Sequence, residues 1–400
     1  MRRRRLIGIG WGPALAGLMG ALLVGVAAAR ADDATATDDE APAGIDWSVA
    51  LRGAYAVDNS GAHPEAIIAP DLSLRLPGGR GDTTLGAGGA ATITPDGTSR
   101  ISDLHSSVQS SYQLDEVSSL RGTLNLSVTQ LDPDDPSLPL DTTSAPLTFM
   151  GTGEGDASRR FGLFDVTGRL KGERFVEGPT TISGGSTIDN APTNYWQGEV
   201  GLRTGYELGP LVSLFVDGSE GYQKFDAPDP TLLKFLDART TELRGGISYN
   251  DDGMLSAELS AGRAWIDYVD PAVTDVPAWV ADASVTFNPS ETWSLDGSLE
   301  TTLGPSTSIA GDTDAGYTLS GDARYRVNPW LTLRSSASLD RVITLGTSTA
   351  ATSYALGAGL DFASSRHAVW SADYSFAHDD DPPNPAENVQ TITIGLKIRR

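Results

Sequence analysis

Cysteine is missing from all 400 residues, which excludes disulfides, thiol catalysis and cysteine-ligated zinc. Positive charge is scarce. The chain holds 29 Lys and Arg against 52 Asp and Glu, a net charge of −23, and nucleic-acid binding needs a basic surface. Histidine is limited to His63, His105, His367 and His378. His105 lies among Ser102, Ser106, Ser107, Ser110 and Ser111, but no acid stands at a spacing that marks a catalytic triad. Gly-x-Ser-x-Gly, Walker and His-Glu-x-x-His signatures are also lacking. The sequence therefore indicates no enzyme, no cofactor and no metal centre. Hydrophobic residues make up only 39%, little for a large packed core.

Long apolar runs are lacking too, except at the start. Arg2 to Arg5 precede a largely apolar stretch from Leu6 to Val26, and Ala29-Arg30-Ala31 supplies small residues around a cleavage point. This is the layout of a secretory signal peptide, residues 1–31, cut after Ala31 and exported by the general secretory route. Losing its five arginines leaves 24 basic residues and a net charge of −28. Residues 32–45, with Asp32, Asp33, Asp38, Asp39 and Glu40, read as a flexible acidic leader. No later stretch approaches the roughly 20 apolar residues a membrane helix requires.

What the chain does have is alternation. From Ala278 to Leu303, Trp279, Ala281, Ala283, Val285 and Phe287 share one side, while Val280, Asp282, Ser284 and Thr286 share the other. Past Asn288-Pro289-Ser290-Glu291, the residues Trp293, Leu295, Gly297 and Leu299 oppose Ser294, Asp296, Ser298 and Glu300. A period of two puts successive side chains on opposite faces of a sheet. Apolar-out and charged-in is the arrangement of a transmembrane barrel, whose lumen is wet. Similar segments fill residues 46–400, separated alternately by short connections such as Glu207–Pro210 and by long ones such as Asp132–Ser158 and Glu177–Asn194. The pattern predicts an all-β fold, a transmembrane antiparallel β-barrel of about 16–18 strands with short periplasmic turns and long extracellular loops. Eighteen requires a hairpin within Phe161–Arg174.

Aromatics gather at strand ends. Tyr206, Tyr249, Phe287, Trp293, Tyr325, Trp330 and Phe362 stand beside the short turns, and Trp196, Trp265, Tyr268, Trp279, Tyr317, Tyr354 and Tyr374 toward the long loops. Two belts are expected at the two membrane interfaces. In register with the apolar face, the charges assigned to the lumen are Glu199, Arg203, Asp217, Glu242, Arg244, Glu258, Asp282, Asp296, Glu300, Asp322, Arg324, Arg326, Arg334, Asp340, Asp361 and Asp373. Two readings of that set stand level: wall-bracing salt bridges, or basic Arg324, Arg326 and Arg334 facing the acids from Asp282 to Glu300 across a transverse field. The acidic runs Asp132, Asp134, Asp135 and Asp379, Asp380, Asp381 lack the layout of a calcium loop.

Several hairpin phrases carry a family resemblance. They are Tyr112-Gln-Leu-Asp-Glu-Val-Ser-Ser-Leu-Arg-Gly-Thr-Leu-Asn-Leu-Ser-Val-Thr-Gln130, Gly201-Leu-Arg-Thr-Gly-Tyr-Glu-Leu-Gly-Pro-Leu-Val-Ser-Leu-Phe-Val216, Gly221-Tyr-Gln-Lys-Phe225, Gly262-Arg-Ala-Trp-Ile-Asp-Tyr268 and Val285-Thr-Phe-Asn-Pro-Ser-Glu-Thr-Trp293. Together they resemble the putative β-barrel porin 2 family of proteobacterial outer-membrane proteins, over nearly all of 46–400. The resemblance implies an outer-membrane barrel and a pore, without a solute. The chain departs from many outer-membrane proteins at its end, where Ile398 leads into Arg399-Arg400 and not an aromatic residue.

The expected function is a porin-like passive channel for small polar solutes or ions, cation-preferring because the lumen set is mostly acidic. The alternative is a barrel for export or anchoring of a surface polysaccharide, plugged by Asp132–Ser158. Expected partners are outer-membrane lipid, lipopolysaccharide and the barrel-assembly machinery. A closed barrel satisfies its backbone internally and resists detergent until boiled. Gel mobility of membrane fractions should therefore differ between boiled and unboiled samples; equal mobility together with recovery from the soluble periplasm would refute the barrel.

Overall fold

The computed structural model describes residues 44–400 apart from 60, 96, 98, 134–137, 140, 252, 272, 274, 307–311, 346–349 and 381–385. The expected signal peptide and most of the acidic leader lie outside the described residues. In chain order the strands begin with β1 Gly44–Val57, β2 Ala62–Gly78, β3 Gly81–Ile93, β4 Ser99–Asp115 and β5 Ser118–Gln130. Next come β6 Thr142–Ser144, β7 Leu147–Phe161, β8 Phe164–Glu177, β9 Thr180–Ile182 and β10 Thr187–Ile188. The middle of the chain forms β11 Tyr195–Glu207, β12 Val212–Phe225, β13 Ala238–Asp251, β14 Leu255–Tyr268, β15 Val276–Ser290 and β16 Trp293–Pro305. The last are β17 Thr313–Asn328, β18 Leu331–Leu345, β19 Ala350–Ala363, β20 Ala368–Asp380 and β21 Glu387–Arg399.

Eighteen of these form one antiparallel sheet, and β6, β9 and β10 form a small second one. Each large strand pairs with its neighbour in sequence, and β1 pairs with both β2 and β21. Val49 faces Ile398 and Gly53 faces Ile394 across the closing ladder. A final hydrogen bond runs from the Arg400 N–H to the Trp47 carbonyl, at 3.0 Å. The last strand thus closes the barrel against the first.

Local chemistry sets the short turns. Asn328 Oδ1 accepts the N–H groups of Trp330 and Leu331 at 3.0 and 2.9 Å, and Asp115 Oδ1 accepts that of Val117 at 2.9 Å. Such side-chain acceptors imitate a backbone turn. Gly162, at φ +65°, makes the turn between β7 and β8, where a side chain would be strained.

That turn corrects one expectation. Residues 147–158 are not part of a plug-forming loop: Leu147–Phe161 is a wall strand paired with β5 and β8. The wall hairpin spans Leu147–Glu177, with its tip at Gly162, not a shorter one inside Phe161–Arg174. Gly151, Gly153 and Gly155 occupy the outward positions of β7 opposite Arg174, Gly172 and Leu170, so the apolar half of the alternation is absent there. The shortened 131–146 segment contributes β6, which pairs with β9.

The outward face is apolar. Trp279 is 69% exposed, Ile394 60%, Val200 57% and Leu202 56%, and in a water-soluble fold such side chains would be covered. Turn-side aromatics meet in pairs: Trp293 stacks on Tyr325 at 4.5 Å, Phe164 lies tilted to Tyr206 at 5.0 Å, and Trp330 meets Phe362 edge-on at 5.4 Å. Near the loops, outward Arg174 and Arg263 each lie 4.9 Å from the rings of Trp196 and Trp279, a pairing suited to the head-group level. Tyr268 does not join that belt. It points inward and is only 8% exposed, because at the end of β14 it stands in register with inward Ala238 and not with Trp265.

The β15–β16 ladder is short, running from Ala283 opposite Leu299 to Ser290 opposite Trp293. Above it, Thr301 substitutes for the ladder. Its hydroxyl donates to the Ala281 carbonyl at 2.6 Å and accepts the Ala281 N–H at 3.1 Å, while its own N–H donates to Asp282 Oδ1 at 2.9 Å. The loop-side end of β16 leans inward, where Leu303 packs against a cluster of Phe225, Leu236, Ala238, Ile266, Tyr268 and Val273.

The two faces give contrasting mutational expectations. Leu319 is mid-strand, outward and 51% exposed, whereas neighbouring Ser320 points inward and shares a 2.7 Å hydrogen bond with Ser298. Leu319→Arg should destabilise the barrel by about 2–4 kcal/mol, read as lost assembly or a lower gel-shift temperature. Ser320→Arg should assemble nearly as well as the native chain. Equal behaviour of the two variants would overturn this register.

Candidate functional site

The candidate site is the inner wall. Its face can be followed by register: Arg203 lies opposite Asp217 and Asp217 opposite Arg244. Farther round, Ser248 lies opposite Glu258, Glu258 opposite Ser284 and Ser284 opposite Ser298. Asp296 then meets Asp322, Arg324 meets Arg334, Arg334 meets Gly359, and Gly359 meets Asp373. All sixteen charged residues assigned to the lumen occupy this one face. It is the inner one, since Arg203 on β11 reaches over β12 and β13 to Glu258 on β14 with two 2.7 Å hydrogen bonds. Only a concave wall lets side chains meet along such a chord.

The sixteen divide into groups. On the loop-side half, Glu199, Asp217, Glu242, Arg244, Asp282 and Glu300 border a cavity of about 760 Å³. Arg244 is the hinge of that group, bonded to Asp282 and, at 2.6 Å, to Glu242. Nearer the turns, Asp296, Asp322, Arg324, Arg334 and Asp373 border a hollow of about 350 Å³. Arg334 holds Asp361 at 2.9 Å and Asp373 at 2.8 Å. Asp340 accepts a 2.7 Å hydrogen bond from Thr318. Arg324 and Arg326 make no ion pair among the described residues. Arg203 also covers Phe215, its guanidinium 3.5 Å from the ring centroid, and Gly246 gives that ring room because a Cβ there would collide with it.

The transverse-field expectation is corrected by the strand order. Asp296 and Asp322 are direct cross-strand partners, and Arg324 is the partner of both Ser294 and Arg334. The acids and arginines therefore stand side by side on one arc of the wall and do not face each other across the lumen. Asp282, counted among the acids, is engaged by Arg244.

Residues that the sequence reading passed over complete the cavity. Glu154, Asp156, Arg169, Lys171 and Glu173 line it from β7 and β8. Arg169 pairs with Asp217, and the Tyr195 hydroxyl donates to Glu173 at 2.6 Å. Their signal was present as period-two spacing, Glu154-Gly-Asp156 and Arg169-Leu-Lys171-Gly-Glu173. In β7 the outward glycines Gly151, Gly153 and Gly155 leave that spacing without an apolar counterpart. On the far arc, His105 finds the acid partners that its sequence neighbourhood did not announce: Asp103 at 2.6 Å and Asp71 at 3.5 Å. Both its nitrogens face carboxylates. In the acidic loop run, Asp132 pairs with Arg100 at 3.1 Å; Asp134, Asp135 and Asp381 lie outside the described residues.

The loop-side mouth is narrowed from within. Segments 226–237 and 269–275 bring Leu236 and Val273 onto inward Phe225 and Tyr268, and Lys234 ties the two segments through Asp270 at 2.8 Å. The Tyr268 hydroxyl reaches β17, 2.9 Å from Thr313 Oγ1 and 3.2 Å from the Asp312 carbonyl.

Arg244 offers the clearest energetic test. Arg244→Met leaves Glu242 and Asp282 half-buried with their shared partner gone, and should lower stability by about 1–3 kcal/mol. Glu242→Gln with Asp282→Asn in the same background should recover part of that loss. Thermal unfolding followed by gel shift measures both.

A model of the family described as "Putative beta-barrel porin 2" matches residues 54–400. Among curated proteins none matches the sequence. Similar solved structures include Pseudomonas aeruginosa OpdL, 12% identical, covering 90% of this chain and 99% of that one at TM-score 0.44. Pseudomonas aeruginosa OccK2 (OpdF) is 13% identical, covering 89% and 98% at TM-score 0.43. The siderophore receptor PirA of the same organism is 10% identical, covering 90% and 81% at TM-score 0.43. With its closed eighteen-strand sheet and outward apolar face, matched by that family model over residues 54–400, the chain is an outer-membrane β-barrel and belongs to the Putative beta-barrel porin 2 family.

Proposed function

We propose that this porin-type barrel is a passive, cation-preferring channel for small polar solutes and ions. The observation that carries the reading is the charged inner wall bordering a cavity of about 760 Å³. Among the sixteen residues of the lumen set, eleven are carboxylates and five are arginines. Several of those charges cancel: Arg203 serves Glu258, Arg244 serves Glu242 and Asp282, and Arg334 serves Asp361 and Asp373. Each of the last two arginines holds two carboxylates, so the balance stays negative after pairing. Fixed charge of one sign concentrates counter-ions and sets which ions pass.

The polysaccharide reading keeps no specific support, since its plug was to be Asp132–Ser158 and residues 147–158 of that segment belong to the wall. Signal-peptide removal after Ala31 and delivery by the barrel-assembly machinery complete the proposal.

Reversal potentials across a planar bilayer under a KCl gradient test the reading. The expected sign is cation preference, weakening at high salt as the screening length shortens from about 10 Å at 0.1 M to about 3 Å at 1 M. Glu300→Gln, in the cavity lining, should reduce the preference. Anion preference would overturn the charge argument, and lack of any conductance would overturn the channel.

A further inference from the structure

We infer that the hollow bordered by Asp296, Asp322, Arg324 and Arg334 is a binding site for small zwitterions of the α-amino-acid type. The inference rests on the channel reading for access to the hollow from water, and it names a solute class that the reading leaves open.

Two like-charge pairs lie one step apart on the inner face. Asp296 is the cross-strand partner of Asp322, and Arg324 is that of Arg334. Like charges directly opposite one another oppose folding. Elsewhere on this wall the problem is avoided: Arg169, Arg203 and Arg244 each hold a carboxylate. In the hollow it is only half resolved. Arg334 is taken up by Asp361 and Asp373, and among the described residues Asp296 accepts only hydroxyl bonds, from Thr286 at 2.8 Å and Ser294 at 3.3 Å. Arg324 and Asp322 have no ion pair among the described residues, and both are exposed to the interior.

The open charges are therefore a carboxylate pair beside a guanidinium. Asp322 and Arg324 sit two residues apart on one strand face, about 6.7 Å along the strand, and their side chains can converge on one small solute. A solute ammonium would sit between Asp296 and Asp322, relieving their repulsion, and its carboxylate would meet the two parallel N–H donors of Arg324. An anion alone would leave the acid pair unrelieved, and a cation alone would leave Arg324 unmatched. Space is available: the hollow measures about 350 Å³, and Gly357 and Gly359 form part of its lining, adding no side chain of their own.

The test is saturation-transfer NMR on the purified, gel-shift-competent barrel, with L-alanine, acetate and methylammonium as separate probes. The expected result is transfer to alanine that exceeds transfer to either half-molecule at least tenfold. It should be lost in Arg324→Gln and in Asp322→Asn, and restored in part by Asp322→Glu. Acetate binding as well as alanine would overturn the inference in favour of a simple anion site. Methylammonium binding equally well, or alanine failing to bind, would overturn it too. KCl conductance of the same preparation is recorded in parallel. A conducting barrel without alanine binding removes the inference and leaves the channel; alanine binding without conductance does the reverse.

Discussion

Everything in this structure depends on backbone hydrogen bonds that have nowhere else to go. In hydrocarbon an unpaired N–H or C=O costs several kcal/mol, so a sheet that crosses a membrane must close on itself. Pairing of β1 with β21 meets that requirement, and the even strand number follows from antiparallel neighbours. The departures from regular pairing are informative for the same reason. Where the β15–β16 ladder stops at Ala283 and Leu299, the hydroxyl and N–H of Thr301 take over bonds that β16 would otherwise have given to β15.

Closure turns the period of two into a division of chemistry. Residues such as Val200, Leu202 and Leu319 are left outside, while every neighbour one position along enters a narrow wet space lined by other charges. Crowding then does what a hydrophobic core does in a soluble protein. The chord from Arg203 to Glu258 and the fork of Arg334 between Asp361 and Asp373 brace the wall from within. Half-buried pairs like these are strengthened by their partial removal from water, yet each still has water on one side, which limits the desolvation penalty that makes fully buried pairs weak stabilisers.

The fold was legible because alternation is a one-dimensional signal. Ala278–Leu303 showed its two faces in sequence, and the structure pairs Phe287 with Leu295 and Val285 with Gly297. Legibility failed where one face lacked contrast. In β7 the outward positions Gly151, Gly153 and Gly155 carry no side chain, so a wall strand looked like loop. The inner-wall set was legible in parity but not in partners. Which carboxylate an arginine holds depends on curvature, since Arg203 skips two strands to reach Glu258, and curvature has no sequence period. Tyr268 failed for a third reason: aromatic identity suggests an interface, but the side of the wall is set by register, and register put it inside.

The mouth shows how a wall made for closure also produces constriction. Beyond Ala283 and Leu299 the regular β15–β16 ladder has stopped, and Leu303 packs on the inner cluster that includes Ile266 and Tyr268. Segments 226–237 and 269–275 then find an apolar surface inside a barrel whose interior is otherwise charged. Leu236 and Val273 dock on it, and the Lys234–Asp270 pair holds the two segments together. Ile266 is 1% exposed and Ala264 fully covered, so this inner surface is dry where the rest of the wall is wet. That apolar cluster shares the inner wall with the charged lining of Glu199, Glu242 and Glu300.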